Sequence, residues 1–141
     1  MDQAKSKLND SLLDAYQRTT YHVNRPAIDI KIGERNEDLA VFLFDNNAFS
    51  WAFVSASNPY SIGISAVENQ KRTTELIEFA QLKNWRFLRG EGYSSDGNWS
   101  EDSLFILDIS KNDAIELAKH FEQNAFVFGY LDKTPELILC N

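Results

Sequence analysis

The sequence predicts a single α+β (or α/β) domain: a mixed β-sheet of about five to six strands covered by three to four helices. Three observations carry this prediction. The chain has 141 residues, 43% hydrophobic and 25% charged, the composition of one soluble domain with enough apolar material for a core. Amphipathic segments alternate with short β-rich runs in the order αβαβαββαββ, the pattern of a sheet covered by helices. No internal repeat and no linker-like stretch divides residues 1 to 141.

Leu8, Leu12, Ala15 and Tyr16 recur at helical spacing, so an amphipathic helix is expected from about residue 3 to 17, lying on the surface of the core. Residues 27 to 32 alternate apolar and polar, as in a strand with one wet face, and Gly33 ends it. An edge position follows from that alternation. Asn36 can cap a helix in which Leu39, Phe42 and Leu43 share a face, although residues 39 to 44 are apolar enough for a strand. Residues 50 to 56 (SWAFVSA) suit a central strand, broken by Asn58-Pro59 because proline cannot donate to a ladder.

Ser65 stands three residues before Glu68, the spacing of a reciprocal capping box, and opens a long helix to about Asn84. Leu76, Ile77, Ala80 and Lys83 mark its inner stripe. Stepping back by four and seven from Leu76 reaches Arg72 and Asn69, which places these polar residues on the core-facing side next to the loop. A short strand at residues 85 to 88 precedes a turn-rich stretch from Gly90 to Trp99, expected as a loop or irregular hairpin. Residues 104 to 109 read as a buried strand. Ser110 caps a helix with Ala114, Ile115, Ala118 and Phe121 inward, and strands at 125 to 130 and 137 to 140 close the chain.

No apolar run approaches the roughly 18 residues of a membrane span, and the N-terminus lacks a signal-peptide pattern, so a cytoplasmic location with no membrane partner is expected. Cys140 is the sole cysteine, read as a small apolar residue near a strand end. The net charge of -7 is uneven: residues 91 to 141 hold 10 acids and 3 lysines. Phosphate backbones demand a basic surface, so nonspecific nucleic-acid binding is not expected. An acidic face can dock a basic protein or serve solubility alone.

Signatures of phosphate loops, dinucleotide folds, zinc proteases and serine hydrolases are absent, and with two histidines, His22 and His120, no metal site or cofactor is expected. His120 lies near a helix end, where an imidazole meets the last carbonyls. Three polar groupings remain. Asn58, Ser61, Glu68, Asn69 and Arg72 share one strand-loop-helix unit, where a helix N-terminus, amides and a guanidinium can hold a phosphate or carboxylate. The same residues can equally satisfy the loop backbone and the helix cap. Trp99-Ser100-Glu101-Asp102-Ser103 enters a buried strand, where Glu101 can gain a raised pKa and serve as a general acid or base, or stay a solvated loop acid. Gln123 and Asn124 sit between a helix and a strand, where amides bind ligand or backbone.

Tyr16 with Arg18, Thr20 and Tyr21, the Ala56-x-Asn58-Pro59-x-Ser61 loop, and Glu68-Asn69 with Arg72 form a pattern continued by Gly90-x-Gly92, Trp99-x-Glu101-x-Ser103 and Gln123-Asn124-Ala125. From about residue 16 to 139 the chain resembles the uncharacterised bacterial family known as domain of unknown function 3293. That family has no assigned reaction, so the resemblance implies no catalytic role for any residue. Because its pattern is carried by polar loop residues, it does raise the standing of a shared polar site.

The expected function is binding of a polar or anionic small molecule or nucleotide-like ligand at a strand-end loop. Asn58 and Ser61 would donate hydrogen bonds, with Asn69, Gln123 and Asn124 beside them. Arg72 would pair with the anion, Trp99 would stack on a planar part, and Glu101 would be the acid or base of any catalysis. The alternative is an acidic interaction module, such as an inhibitor or immunity protein, covering a basic partner.

Overall fold

In the computed structural model, which describes residues 9–140, every strand pairing is antiparallel. The elements run α1 (Asp10–Arg18), β1 (Thr20–Val23), β2 (Ile28–Ile30), α2 (Glu37–Asp45), β3 (Ser50–Ser55), α3 (Ala66–Leu82), β4 (Arg86–Tyr93), β5 (Ser100–Leu107), α4 (Lys111–His120), β6 (Ala125–Tyr130) and β7 (Glu136–Leu139). A short 3₁₀ turn, Pro59–Ser61, lies between β3 and α3. The seven strands form one sheet in the order β2-β1-β4-β5-β3-β6-β7. The fold class is α+β, with seven strands where five to six were expected, and the sheet is antiparallel rather than mixed.

The physical reason for that correction is visible in the crossovers. The helical connections do join parallel strands, β3 to β4 through α3 and β5 to β6 through α4. In each case an antiparallel strand occupies the gap, β5 in the first and β3 in the second. From β3 to β6 the chain is therefore a split βαβ unit of ferredoxin-like connectivity. Sequence periodicity shows that a crossover exists but not which strand fills it.

Two faces follow from the period-2 alternation of the strands. On one, Ala52, Val54, Leu104, Ile106, Phe126 and Phe128 meet Leu76 and Ala80 of α3 and Ala114, Leu117 and Ala118 of α4. On the other, Trp51, Phe53, Phe105 and Val127 meet Leu39 and Leu43 of α2, capped as expected by Asn36, whose Oδ1 accepts from Leu39 N at 2.9 Å. This second face turns polar toward the end of the strands where β3 finishes and β5 begins. Ser55, Ser103 and Glu101 point there in place of the apolar residues that precede them, because they share the parity of Phe53 and Phe105.

Several local expectations hold, and others change. β2 is the sheet edge, with Ile28 and Ile30 buried and Asp29 exposed. Ser65 caps α3 through Glu68 N at 3.1 Å, but the Glu68 carboxylate takes the Ser65 hydroxyl at 3.0 Å rather than its backbone N–H. Lys83 lies beyond the end of α3, exposed over the Phe79 ring rather than in the inner stripe. Residues 3–8 of the expected first helix lie outside the described residues. The described turns of α1 bury no residue. β1 was not expected at all, and pairs with β2 and β4. Cys140 follows β7 and packs at the margin of the first core, as its sequence position implied. Among the described residues, no helix is long and apolar enough to cross a membrane.

The largest misplacement concerns Gly90 to Tyr93, expected as loop and found within β4, with β5 starting early at Ser100. Glycine here marks close approach rather than a turn. A Cβ on Gly90 would stand 2.5 Å from the His22 carbonyl oxygen and 3.0 Å from Phe53 Cε2, whereas one on Gly92 would meet nothing nearer than 3.6 Å. Gly90→Ala is therefore expected to destabilise the fold by about 2 kcal/mol or more through overpacking. Gly92→Ala should cost less than about 1 kcal/mol in the same denaturant titration, since its neighbours sit at ordinary contact distance. Equal costs would contradict the close-approach reading.

Candidate functional site

The site is built where three connections converge on the polar end of the second sheet face. β3 ends at Ser55, and the chain turns through left-handed conformations at Asn58 (φ 49), Tyr60 (φ 52) and Ser61 (φ 64) before Ser65 starts α3. Asparagine tolerates this region because its amide bonds locally; tyrosine and serine adopt it less readily, at a cost of roughly 1 kcal/mol or more each. The turn is held by specific bonds. Asn58 N donates to Asn69 Oδ1 at 2.8 Å, Asn69 Nδ2 donates to Asn58 Oδ1 at 2.9 Å, and Ile64 N reaches the same oxygen at 3.2 Å.

That arrangement leaves one free end of the Asn58 amide, and it reaches across to β5. Asn58 Nδ2 donates to Glu101 Oε2 at 2.8 Å. The two loops that the sequence placed only at strand ends therefore meet. Glu101 stands opposite Gly92 in the β4–β5 ladder and follows the inward parity of Ser103 and Phe105. Burial raises its pKa to about 7, against the lowering effect of hydrogen bonds from Asn58 and Ser55.

A cavity of about 440 Å³ opens over Glu101. Leu12, Ala15 and Tyr16 of α1 form one wall, Asn58, Ser61 and Gly63 a second, and Ser94, Asp96 and Trp99 of the β4–β5 turn a third. The amphipathic face of α1 thus roofs a cavity instead of sealing the core. Trp99 is 38% exposed at the rim. Tyr16 OH and Ser61 Oγ lie 3.1 Å apart, and Asn124 Nδ2 donates to Ser61 Oγ at 2.9 Å. Burial raises the Tyr16 and Tyr21 phenols above their ordinary value, so both stay neutral near pH 7.

The expected site residues divide into two groups. Asn58, Ser61, Trp99, Glu101 and Gln123 line the cavity. Asn69, Arg72 and Asn124 stand behind it. Arg72 Nε donates to Ala56 O, Nη2 to Phe121 O, and Nη1 lies 3.4 Å from Glu122 Oε1. Its guanidinium is thus turned to the backbone of two loops rather than to the cavity. Gln123 Nε2 also donates to Ser57 O at 3.0 Å, and Tyr60 N donates to Glu122 O at 2.7 Å, so the 121–124 segment and the Asn58 loop form one hydrogen-bonded unit.

Arg72→Ala is expected to destabilise the fold by about 2–4 kcal/mol, because two carbonyls lose charged donors. A variant with wild-type stability in urea titration would contradict this structural role for Arg72.

Tyr16, Ser55 and Asp96 were not singled out as site residues from the sequence. Tyr16 had two visible signals, a phenol within the inner stripe of an amphipathic helix and its place in the pattern shared with the family. Ser55 had another, a polar residue at a position whose parity is otherwise apolar. The two histidines stand elsewhere: His22 Nδ1 is 2.6 Å from Asp29 Oδ1, and the His120 ring packs against Phe79 and Phe121. Among the described residues, no group of three or more His, Cys, Asp or Glu side chains gathers to hold a metal ion.

The family model described as "Protein of unknown function (DUF3293)" matches residues 54–126. That stretch begins in β3 and ends in β6, and contains Asn58, Ser61, Asn69, Arg72, Trp99, Glu101, Gln123 and Asn124, while Tyr16 lies outside it. No curated protein and no solved structure matches the chain.

Proposed function

Because the chain belongs to this family of proteins of unknown function, membership assigns no reaction, and we propose from the site itself that the protein binds a small polar molecule with a planar part. The observation that carries the reading is Glu101, partly buried in the lining of a 440 Å³ cavity and hydrogen-bonded by Asn58 from the facing loop. Cavities of about 300–1,000 Å³ with a few convergent polar groups are the usual form of small-molecule sites. Ser61, Tyr16 and Gln123 supply further hydrogen-bonding groups, and the Trp99 indole supplies a flat surface at the rim. With a pKa near 7, Glu101 is also the group suited to exchange a proton with a bound substrate.

The anionic ligand expected from the sequence depended on Arg72, and loses that support because the guanidinium bonds to carbonyls outside the cavity. The reading as an acidic module for a basic protein rests on net charge. Asp96, Glu101, Asp108, Glu122 and Glu136 already engage groups of this chain, which leaves it the weaker proposal.

A thermal-shift screen of nucleobases, nucleosides and small amines and amides tests the binding reading. A ligand at 100 times its Kd should stabilise the fold by about 2.7 kcal/mol. Trp99→Ala, which alters only an exposed rim residue, should abolish most of that shift. Hits indifferent to both Trp99→Ala and Glu101→Gln would place binding elsewhere and defeat the proposal.

A further inference from the structure

We infer that the ligand of this cavity is a planar organic cation of the amidinium or guanidinium class, seated between the Glu101 carboxylate and the Trp99 ring. The inference rests on the cavity being the binding site, and adds the charge and shape of what fills it. Its first support is the balance of charge. Among the described residues, the charged groups lining the cavity are Arg18, Asp96 and Glu101. Arg18 pairs with Asp14 at 3.0 Å along α1, with its side chain 69% exposed. The described lining therefore holds two carboxylates against one cation, and that cation is already paired with a carboxylate.

The second support is how Glu101 is held. Its partners are neutral donors, the Asn58 amide and the Ser55 hydroxyl, and among the described residues it makes no ion pair. A carboxylate removed from water without a cation is costly, and a cationic ligand offsets that cost where a neutral or anionic one does not. The nearest guanidinium behind the loop, Arg72, is directed away to Ala56 and Phe121. The third support is Trp99 at the mouth, since an indole face attracts a planar cation. Tyr16 OH, which shares a hydrogen bond with Ser61 Oγ, stands beside this path as an acceptor for a remaining N–H group of such a head.

The pH dependence follows from the groups that face Glu101. These are Tyr16 and Arg18 from α1, Tyr21 from β1 and Asp96 from the β4–β5 turn, while β3 and the 121–124 segment present the neutral Ser55 and Gln123. Both tyrosines stay neutral across pH 5–8 because burial raises them. Among the described residues, Glu101 is the group on this face whose charge changes in that range, with its pKa near 7. A cation binds its ionised form, so affinity rises about tenfold per pH unit below pH 7 and levels above it.

Benzamidine, benzamide and benzoate share one shape and differ in charge, and their titration by calorimetry at pH 5.5 and 8 tests the inference. Benzamidine should bind at least tenfold more tightly than benzamide at pH 8, benzoate most weakly, and benzamidine should lose at least tenfold at pH 5.5. Glu101→Gln should bring benzamidine to the level of benzamide and remove the pH dependence. The wild-type series stands without the variant should that variant fold poorly. Benzoate equal to or tighter than benzamidine, or a benzamidine affinity indifferent to pH, overturns the cation inference. If benzamide or benzoate then binds in a manner sensitive to Trp99→Ala, the cavity remains the binding site; no binding by any of the three overturns both readings.

Discussion

Glu101→Gln is expected to melt about 10 °C above the wild type at pH 8, and at the same temperature as the wild type near pH 4. The folded protein holds the Glu101 proton up to about pH 7, whereas the ordinary value of 4.5 applies once the chain unfolds. Between those values the native state binds a proton that the unfolded state has released. Stability contributed by this group is therefore full below pH 4.5, falls as pH rises to 7, and is flat above. The loss amounts to about 3 kcal/mol across the window. Glutamine keeps the shape and can accept from Asn58 while never ionising, so it avoids the loss. A wild type whose stability rises with pH through this window, or a glutamine variant destabilised at pH 8, would contradict the account.

The second large effect is expected at Asn58. Its side chain serves Glu101, Asn69 and the backbone of Ile64 at once, and its backbone is left-handed. Asn58→Ala should destabilise the protein by about 2–4 kcal/mol, combining partly buried partners left unsatisfied with the left-handed penalty of a Cβ. Asn58→Gly removes the same bonds but not the backbone freedom, and should recover about 1 kcal/mol of that loss. Both variants should lose ligand binding, and both should raise the Glu101 pKa further, since the bond that lowers it is gone. Urea titration of the two variants at pH 5 and pH 8 separates these contributions. An alanine variant within 1 kcal/mol of the wild type would show that the loop is held by other means.

Local signals made the Asn58 loop readable. Proline ends a strand, serine with glutamate starts a helix, and helical spacing turns Asn69 and Arg72 inward. What spacing does not encode is the partner at the end of a side chain. Arg72 faces inward as expected, yet whether an anion or a backbone carbonyl waits there depends on residues 121 and 122, which come from a different crossover. The meeting of Asn58 and Glu101 has the same origin: it requires β3 and β5 to be neighbours in register, a non-local fact. Gly90 lies in a strand where its sequence suggests a turn, because glycine signals both turns and close packing, and only the third dimension separates them. The cavity itself arises from an absence of packing beneath α1, which an amphipathic pattern does not distinguish from a sealed core.

The most direct measurement is the titration of the Glu101 side-chain carboxyl by ¹³C NMR in the folded protein, with and without benzamidine. The account predicts a midpoint near 7 that moves down when the cation is added. A midpoint near 4.5, unmoved by benzamidine, would contradict it.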